Sequence, residues 1–598
     1  MTVVEKLEAL RSLMNEKNMA AYIVPADDFH GSEYVGDYFK AREYMSGFTG
    51  SAGTLVVLPD RACLWTDGRY FLQADAQLQG STIELMKAGQ PGVPEIADFL
   101  ADSLKENDCI GFDGRTVTSH FVQELSKKTD VKKISFSGEE DLVGMIWKER
   151  PQMSMEPVWE LDVKYAGMTR EEKLASLRER MKEEKADVII LAALDEIAWL
   201  LNLRGNDVKC TPVFLAYMVI DQNRAVLCAH EEILSEDIRK KLSDAGIEVM
   251  PYEGAAQILK ELSEGKTILA DGDKVNYQLV KSIPENVAQK DIQSPVMLMK
   301  AVKNPREMEN IRNAHIKDGV AVTRFIYWLK NNAGKEKITE ISAAEKLEAF
   351  RAQQEGFIGP SFQSIIGYGA HGAIIHYAAT EETNVQIEEK SFCLADTGGH
   401  YLEGTTDVTR TIVMGELTDE ERKMYTLVLR GHLNLGAAKF VYGVCGPNLD
   451  SIAREPLWEY GLDYNHGTGH GVGHILSVHE GPQRFHWNAN PAAKSAALEE
   501  GMVISDEPGV YLAGKFGIRH ENLVLCRKGE KNEYGQFMYF EELTMVPFDT
   551  EAIDVSLITE KELAHLNAYH QKVYYAISPY LEGEELEWLK KVTRPLTK

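Results

Sequence analysis

The sequence predicts an α/β (α+β) chain, with two tandem α/β domains, a larger domain that carries the chemistry, and a short helical C-terminal extension. Three observations lead there. A chain of 598 residues exceeds what one hydrophobic core organises, so several domains are required. A helix-then-strand pattern occurs twice in the first half, at a separation of 167 residues. A set of carboxylates and histidines, several of them at the ends of apolar runs, lies between residues 392 and 521.

The repeat is read residue by residue. Glu5, Lys6, Leu7, Leu10, Arg11 and Met14 recur as Glu172, Lys173, Leu174, Leu177, Arg178 and Met181. Apolar residues at i, i+3 and i+7 make each copy an amphipathic helix, and Thr169 with Glu172 is a capping box for the second. Each helix leads into a β-rich run, residues 21–24 and 188–191, and Asp28 and Asp195 follow those runs. Two unrelated amphipathic helices would not share the aspartates. Residues 53–58 and 62–65 read as further strands, divided by a Pro-Asp turn. These features assign 1–155 to the first domain and 156–300 to the second.

The third domain, 301–549, opens on a helix entry in which Asn304 caps and Pro305 takes the first helical position. The extension, 550–598, has a capping box at Thr559 and Glu562, and Leu563, Leu566, Tyr569, Val573 and Ile577 at helical spacing before Pro579 stops it. Tyr569, Tyr574, Tyr575 and Trp588 give this small appendage a large aromatic surface, which predicts a homodimer.

Composition narrows the partners. The 92 acidic residues outnumber the 65 basic ones, for a net charge of -27, so nucleic acid and anionic membrane are excluded as partners. The first sixteen residues carry charges every few positions, and no run approaches the ~18 apolar residues of a membrane span. The expectation is a cytoplasmic chain. Cys63, Cys109, Cys210, Cys228, Cys393, Cys445 and Cys526 form no CxxC pair and read as free thiols.

Residues 392–412 suggest two strands joined by a glycine-containing turn, with Asp396 on one and Asp407 at the head of the other. A carboxylate at the end of a buried strand is costly unless it meets a cation, and these two could face one site. In NHGTGHGVGH, residues 465–474, His466 and His470 have the i, i+4 spacing of a helical zinc motif. Glycines at 467, 469, 471 and 473 would each cost a helix about 1 kcal/mol, so the segment is a loop or irregular strand. Glu507 follows an apolar run and Glu521 heads another, with room between for a strand, a turn and a return strand. Asp396, Asp407, His470, Glu507 and Glu521 are thus candidate metal ligands. Four carboxylates packed together take up protons unless divalent cations offset them, and oxygen-rich ligation favours manganese over a thiolate-loving ion.

The order Asp, Asp, His, Glu, Glu in the contexts DTGG, TTDVTRT, HGTGHGVG, DEPG and GIRHEN resembles the pita-bread metallopeptidases. WTDGRYF at 65–71, ALDEIAWLLNLRG at 193–205 and AIIHYA at 373–378 extend the likeness end to end, to the long three-domain cytosolic Xaa-Pro aminopeptidases. The resemblance implies two creatinase-like α/β domains before a pita-bread catalytic domain. It implies two divalent metal ions, Mn²⁺ with Co²⁺ or Zn²⁺ as alternatives. Asp396 would hold one, Asp407 and Glu521 bridge both, and His470 and Glu507 bind the other. Catalytic roles fall to Glu507, His376 and His479, and substrate-side roles to His376, His466, His470, His479 and Arg69.

The implied reaction is hydrolysis of the bond before a proline at the second position of a peptide, by a metal-bridged hydroxide that releases the first amino acid. A prolidase restricted to dipeptides is one alternative and an inactive peptide-binding scaffold another; the complete ligand set speaks against the scaffold. Three departures stand out: Thr397 where the family often has serine, His520 where it has a branched apolar residue, and an additional His474. Thr397 keeps a hydroxyl. His520 alternates with Glu521 and should point away from the metals.

Overall fold

The computed structural model describes residues 1–487 and 495–598, and the chain divides into two compact units. The first comprises residues 1–162 and 168–297 and contains two six-stranded sheets of the same design. In the first copy, helix α1 (Val3–Glu16) starts on a Thr2–Glu5 capping box and buries Leu7, Leu10 and Met14. Strands β1 (Ala21–Pro25), β2 (Thr54–Val57), β3 (Ala62–Thr66), β4 (Ile83–Lys87), β5 (Cys109–Phe112) and β6 (Ser135–Ser137) lie in the order β4-β3-β2-β1-β5-β6. Helix α2 (Ser119–Thr129) follows β5.

The second copy repeats this arrangement. Helix α3 (Arg170–Glu183) has the predicted Thr169–Glu172 capping box. Strands β7 (Val188–Leu191), β8 (Ala216–Asp221), β9 (Ala225–Ala229), β10 (Ile247–Met250), β11 (Thr267–Ala270) and β12 (Ala288–Asp291) run in the order β10-β9-β8-β7-β11-β12. In both sheets the first strand is antiparallel to the second and parallel to the fifth, so the pairing pattern matches as well as the order. Helix α4 (Tyr277–Lys281) follows β11 as α2 follows β5.

The two copies meet through a repeat that the sequence reading overlooked. Asp113-Gly114-Arg115-Thr116-Val117-Thr118 follows β5, and Asp271-Gly272-Asp273-Lys274-Val275-Asn276 follows β11. Ser119 N donates to Val275 O at 3.0 Å and Tyr277 N to Val117 O at 2.9 Å; His120 N donates to Gly272 O and Gln278 N to Gly114 O, both at 2.9 Å. Each bond is returned by the equivalent residue of the other copy. Around them His30 Nε2 lies 2.7 Å from the Tyr252 hydroxyl, and Tyr217 and Asn276 donate to Phe29 O.

The second unit, 163–167 with 298–598, is built on α5 (Pro305–Asn332), α6 (Glu340–Arg351), α7 (Asp419–Gly436) and α8 (Gly446–Trp458). The Asn304 cap and Pro305 in the first turn start α5 as the sequence predicts, and Glu307 completes a capping box with Asn304. A three-stranded sheet takes β14 (Ile365–Tyr368), β15 (Phe392–Thr397) and β18 (Val408–Val413), and another takes β13 (Phe357–Pro360), β16 (Gly399–Tyr401) and β17 (Gly404–Thr405). Strands β15 and β18 are antiparallel with Asp396 opposite Thr409, but β16 and β17 stand between them in sequence. The single turn expected there is therefore a second hairpin, made possible by the unbranched backbone of Gly398, Gly399 and Gly404.

A six-stranded sheet takes β19 (Lys439–Val441), β20 (Gly469–Gly471), β21 (Glu480–Phe485), β22 (Val503–Asp506), β25 (Asn522–Asn532) and β26 (Gly535–Glu542), in the order β19-β26-β25-β22-β20-β21. Strands β23 (Gly509–Leu512) and β24 (Phe516–Arg519) form their own hairpin between β22 and β25. The C-terminal helices α9 (Glu560–Ile577) and α10 (Gly583–Val592) pack on this core. The tail aromatics are less exposed than their number suggests. Tyr569 is buried, with its hydroxyl accepting from Arg410 Nη2 at 2.9 Å, and Tyr574 and Trp588 pack on the same cluster. Of the four, Tyr575 is the one left largely exposed.

Candidate metal centre

The centre forms where β15, β18, β20, β22 and β25 begin or end. Asp396 lies near the end of β15, Asp407 just before β18, His470 within β20, Glu507 just after β22 and Glu521 just before β25. Breaks in the strands turn these side chains off the ladder while the backbone stays bonded: Glu507 N donates to Thr468 O at 2.8 Å, and Glu521 N to Thr409 O at 3.2 Å. Ligand atoms of Asp407, His470 and Glu521 lie within 4.8 Å of one another. Glu507 joins them, its Oε1 3.3 Å from His470 Nε2.

The electrostatics of this group call for a cation. His470 Nδ1 sits 3.0 Å from Gly471 O, an acceptor only, so that nitrogen carries the proton and Nε2 presents a lone pair. That lone pair faces Asp407 Oδ2 at 3.5 Å and Glu507 Oε1, acceptors all. Burial, then Asp396 and Glu507, pushes the Asp407 carboxyl well above its ordinary range. Burial, then Asp407, does the same to Glu521, and burial moves Glu507 up to about 7. Asp396 Oδ1 is buried without a hydrogen-bond partner. Converging acceptors, an orphaned carboxylate oxygen and an imidazole lone pair fit divalent cations held by four oxygens and one nitrogen.

Arg519 is the residue of this centre that the sequence reading passed over. Its guanidinium bonds Asp396 Oδ2 from Nε at 3.2 Å and from Nη2, and Nη1 donates to the Tyr511 hydroxyl at 2.8 Å. Period two along the chain offered a signal, since Arg519 shares a face with Glu521. The Tyr511 hydroxyl also lies 2.8 Å from His466 Nε2, which links that histidine to Asp396 through Arg519.

The other predicted histidines fall in different places. The His479 ring meets the His470 ring edge-on, centroids 4.3 Å apart. Its neighbour Glu480 is buried against Lys300 Nζ at 2.6 Å and against Lys303, both themselves buried. His376 is half-buried in the segment after β14, and the carbonyl of Ile375 accepts from Arg519 Nη2 at 3.3 Å. His474 is buried with Nε2 3.0 Å from Glu403 O, a structural tie. His520 is fully buried between Tyr425 and Phe548, its ring nitrogens without hydrogen-bond partners, and burial holds it neutral, well below the usual histidine range. Thr397 accepts from Arg351 Nη2 at 3.0 Å. Arg69 lies in the first unit, paired with Asp67 at 2.8 Å and Glu33 at 3.0 Å.

A protein of Laccaria bicolor, described as a probable Xaa-Pro aminopeptidase P, is 41% identical to this chain over 605 residues, 99% of this chain and 93% of that one. The chain belongs to the Xaa-Pro aminopeptidase family of metallopeptidases. Aminopeptidase P2 of Arabidopsis thaliana, of the same family, is 39% identical over 634 residues, 99% of this chain and 89% of that one. A crystal structure of X-prolyl aminopeptidase from Caenorhabditis elegans, described as a cytosolic enzyme with a di-nuclear active site, superimposes with a TM-score of 0.95 at 35% identity, covering 100% of both chains. Within this chain, residues 309–528 match metallopeptidase family M24 and residues 536–596 the C-terminal region of peptidase M24. Residues 6–146 and 149–307 each match the creatinase/prolidase N-terminal domain.

Proposed function

We propose that this enzyme removes the first residue of peptides whose second residue is proline, by metal-dependent hydrolysis, with Asp396, Asp407, His470, Glu507 and Glu521 as ligands of two divalent ions. The observation that carries the reading is the meeting of Asp407, His470 and Glu521 within ligand distance, beside Asp396 and Glu507. When bound, such ions act as Lewis acids and make a water molecule nucleophilic near neutral pH. Oxygen-rich donors support manganese.

The protein groups divide the remaining work. Glu507 receives the proton of the attacking water and moves it toward the leaving nitrogen. Ser505 Oγ holds the Glu507 carboxylate at 3.1 Å and also accepts from the backbone N–H of His470 at 2.9 Å, so the base and the strand that carries His470 share one support. His376 and His479 stabilise the oxyanion of the attacked carbonyl. The bond before proline is a tertiary amide with no N–H, so a site for it needs no acceptor there. It needs a proton for a basic secondary amine, and a histidine-lined side of the cleft, His466 included, supplies that. The described residues contain no helix long and apolar enough to cross a membrane. A cytoplasmic location is part of the proposal, supported by the description of the Caenorhabditis elegans relative as cytosolic. A homodimer is part of the same proposal, and light scattering at micromolar concentration tests it.

The decisive assay compares three substrates. Xaa-Pro-Yaa peptides should be cut well and Xaa-Pro dipeptides more slowly. Xaa-Ala-Yaa peptides should be slower by at least ~10-fold, the least that one matched ring contact contributes. Dipeptides as the best substrates would replace this reading with a prolidase.

A further inference from the structure

Glu340 is the first residue of α6 and is fully buried. A buried carboxylate is tolerated where donors surround it, and here all of them come from one stretch of chain. Tyr368 N donates to Oε1 at 2.9 Å and His371 Nδ1 lies 2.8 Å from the same oxygen. The Tyr377 hydroxyl donates to Oε2 at 2.9 Å and Val385 N at 3.3 Å. The carboxylate is the hub of residues 368–385, the segment that carries His376.

The opposite side of that segment is also fixed. Arg519, which holds Asp396, donates to the carbonyl of Ile375. The Tyr377 ring is buried with Ile365, which pairs with Asp396, and with Leu394, and it stacks on His371 with centroids 4.5 Å apart. The residues flanking His376 are thus tied on one side to the metal centre and on the other to Glu340.

We infer that Glu340 is a positioning residue for His376, acting through Tyr377 and His371. The inference rests on the substrate-side reading of His376. Its physical requirement is strict: four donors face two oxygens, so a carboxamide at this position must turn its NH₂ toward two donors. Glu340→Gln therefore loosens the segment with almost no change of shape.

The test is a double-mutant cycle on an Xaa-Pro-Yaa peptide at saturating Mn²⁺, with metal content and Tm measured on every variant. Glu340→Gln should lower kcat/KM about 10- to 100-fold, the range seen when an outer support of a site residue is lost, with bound metal unchanged. In a His376→Ala background the same change should cost under ~3-fold, because the residue it positions is gone. Tyr377→Phe removes one donor without opening a cavity; it should give a smaller loss, again absent beside His376→Ala, and it carries the test if the Gln variant does not fold. Equal losses in both backgrounds would assign Glu340 a general structural role and overturn the inference, as would a Gln variant with unchanged kcat/KM. A fully active His376→Ala would instead overturn the reading of His376 itself.

Discussion

Two clusters of buried charge in the catalytic unit are built in opposite ways. At Glu480, one carboxylate meets two ammonium groups, Lys300 and Lys303, and all three side chains are sealed from solvent. At the metal centre, Asp396, Asp407, Glu507 and Glu521 meet one guanidinium, that of Arg519, and an imidazole that presents a lone pair. The first cluster supplies its own counter-charge from the chain. The second holds negative charge in excess, and burial drives Asp407 and Glu521 toward protonation. A protein that buries charge for support pairs it internally; one that buries it for chemistry leaves the countercharge to a ligand.

Breaking each cluster should have different consequences. Asp407→Asn turns one of the proposed ligand carboxylates into a neutral amide. It should lower kcat by roughly 10³-fold or more while circular dichroism stays native; a near-normal kcat would remove Asp407 from the centre. Lys303→Met removes one of the two ammonium groups on Glu480 and leaves Lys300 as its single counter-charge. Urea unfolding should show a loss of stability smaller than the about 3 to 5 kcal/mol that follows when a buried charge is left with no partner, with kcat reduced far less than in Asp407→Asn. Equal stability of this variant and the wild type would show that Lys300 alone suffices.

A third buried group sharpens the contrast because it avoids charge altogether. His315, buried on α5 with Nδ1 2.7 Å from Ile311 O, is held down to about 4 by burial. Above pH 6.5 it is neutral folded or unfolded and contributes no pH dependence. Between about 6.5 and about 4 the unfolded chain takes up a proton that the fold refuses, so stability falls as pH falls, by roughly 3 kcal/mol in all. His315→Leu should flatten that part of the urea-midpoint profile relative to wild type; parallel profiles would reject the assignment. The smallest effect is ligand binding to the excess charge. Chelated enzyme should lose activity and regain it best with Mn²⁺, with about 2.7 kcal/mol of added stability at a hundredfold excess over Kd. Lys303→Met should keep the Mn²⁺ shift in Tm and Asp407→Asn should lose most of it.

Much of this was legible in the sequence because it is local. Capping boxes at Thr169 and Thr559, and the Asn304 cap followed by Pro305, announce their helices within four residues, and the strand runs around Asp396, Glu507 and Glu521 show as apolar blocks. The glycines between His466 and His470 ruled out a helix, and β20 is indeed a short strand. What stayed hidden depends on distant partners. Arg519 meets Asp396, and Lys303 meets Glu480, across more than a hundred residues, and no periodicity reports such a distance. The hairpin β16–β17 escaped because its strands are too short to show alternation. The tail aromatics misled because spacing gives the face of a helix and not what covers it: Tyr569 is buried, with its ring against Phe548 and its hydroxyl on Arg410 and the carbonyl of Val546.

The join between the two α/β copies carries one more consequence. Its reciprocal bonds run from peptide to peptide, Ser119 to Val275 and Tyr277 to Val117, so they ask almost nothing of the side chains at those positions. Each copy is free to drift in sequence without parting from the other. Length is another matter: one residue added between Val117 and Ser119 would shift Ser119 and His120 against Val275 and Gly272 while Val117 and Gly114 stay opposite Tyr277 and Gln278, so the two reciprocal halves could no longer close together.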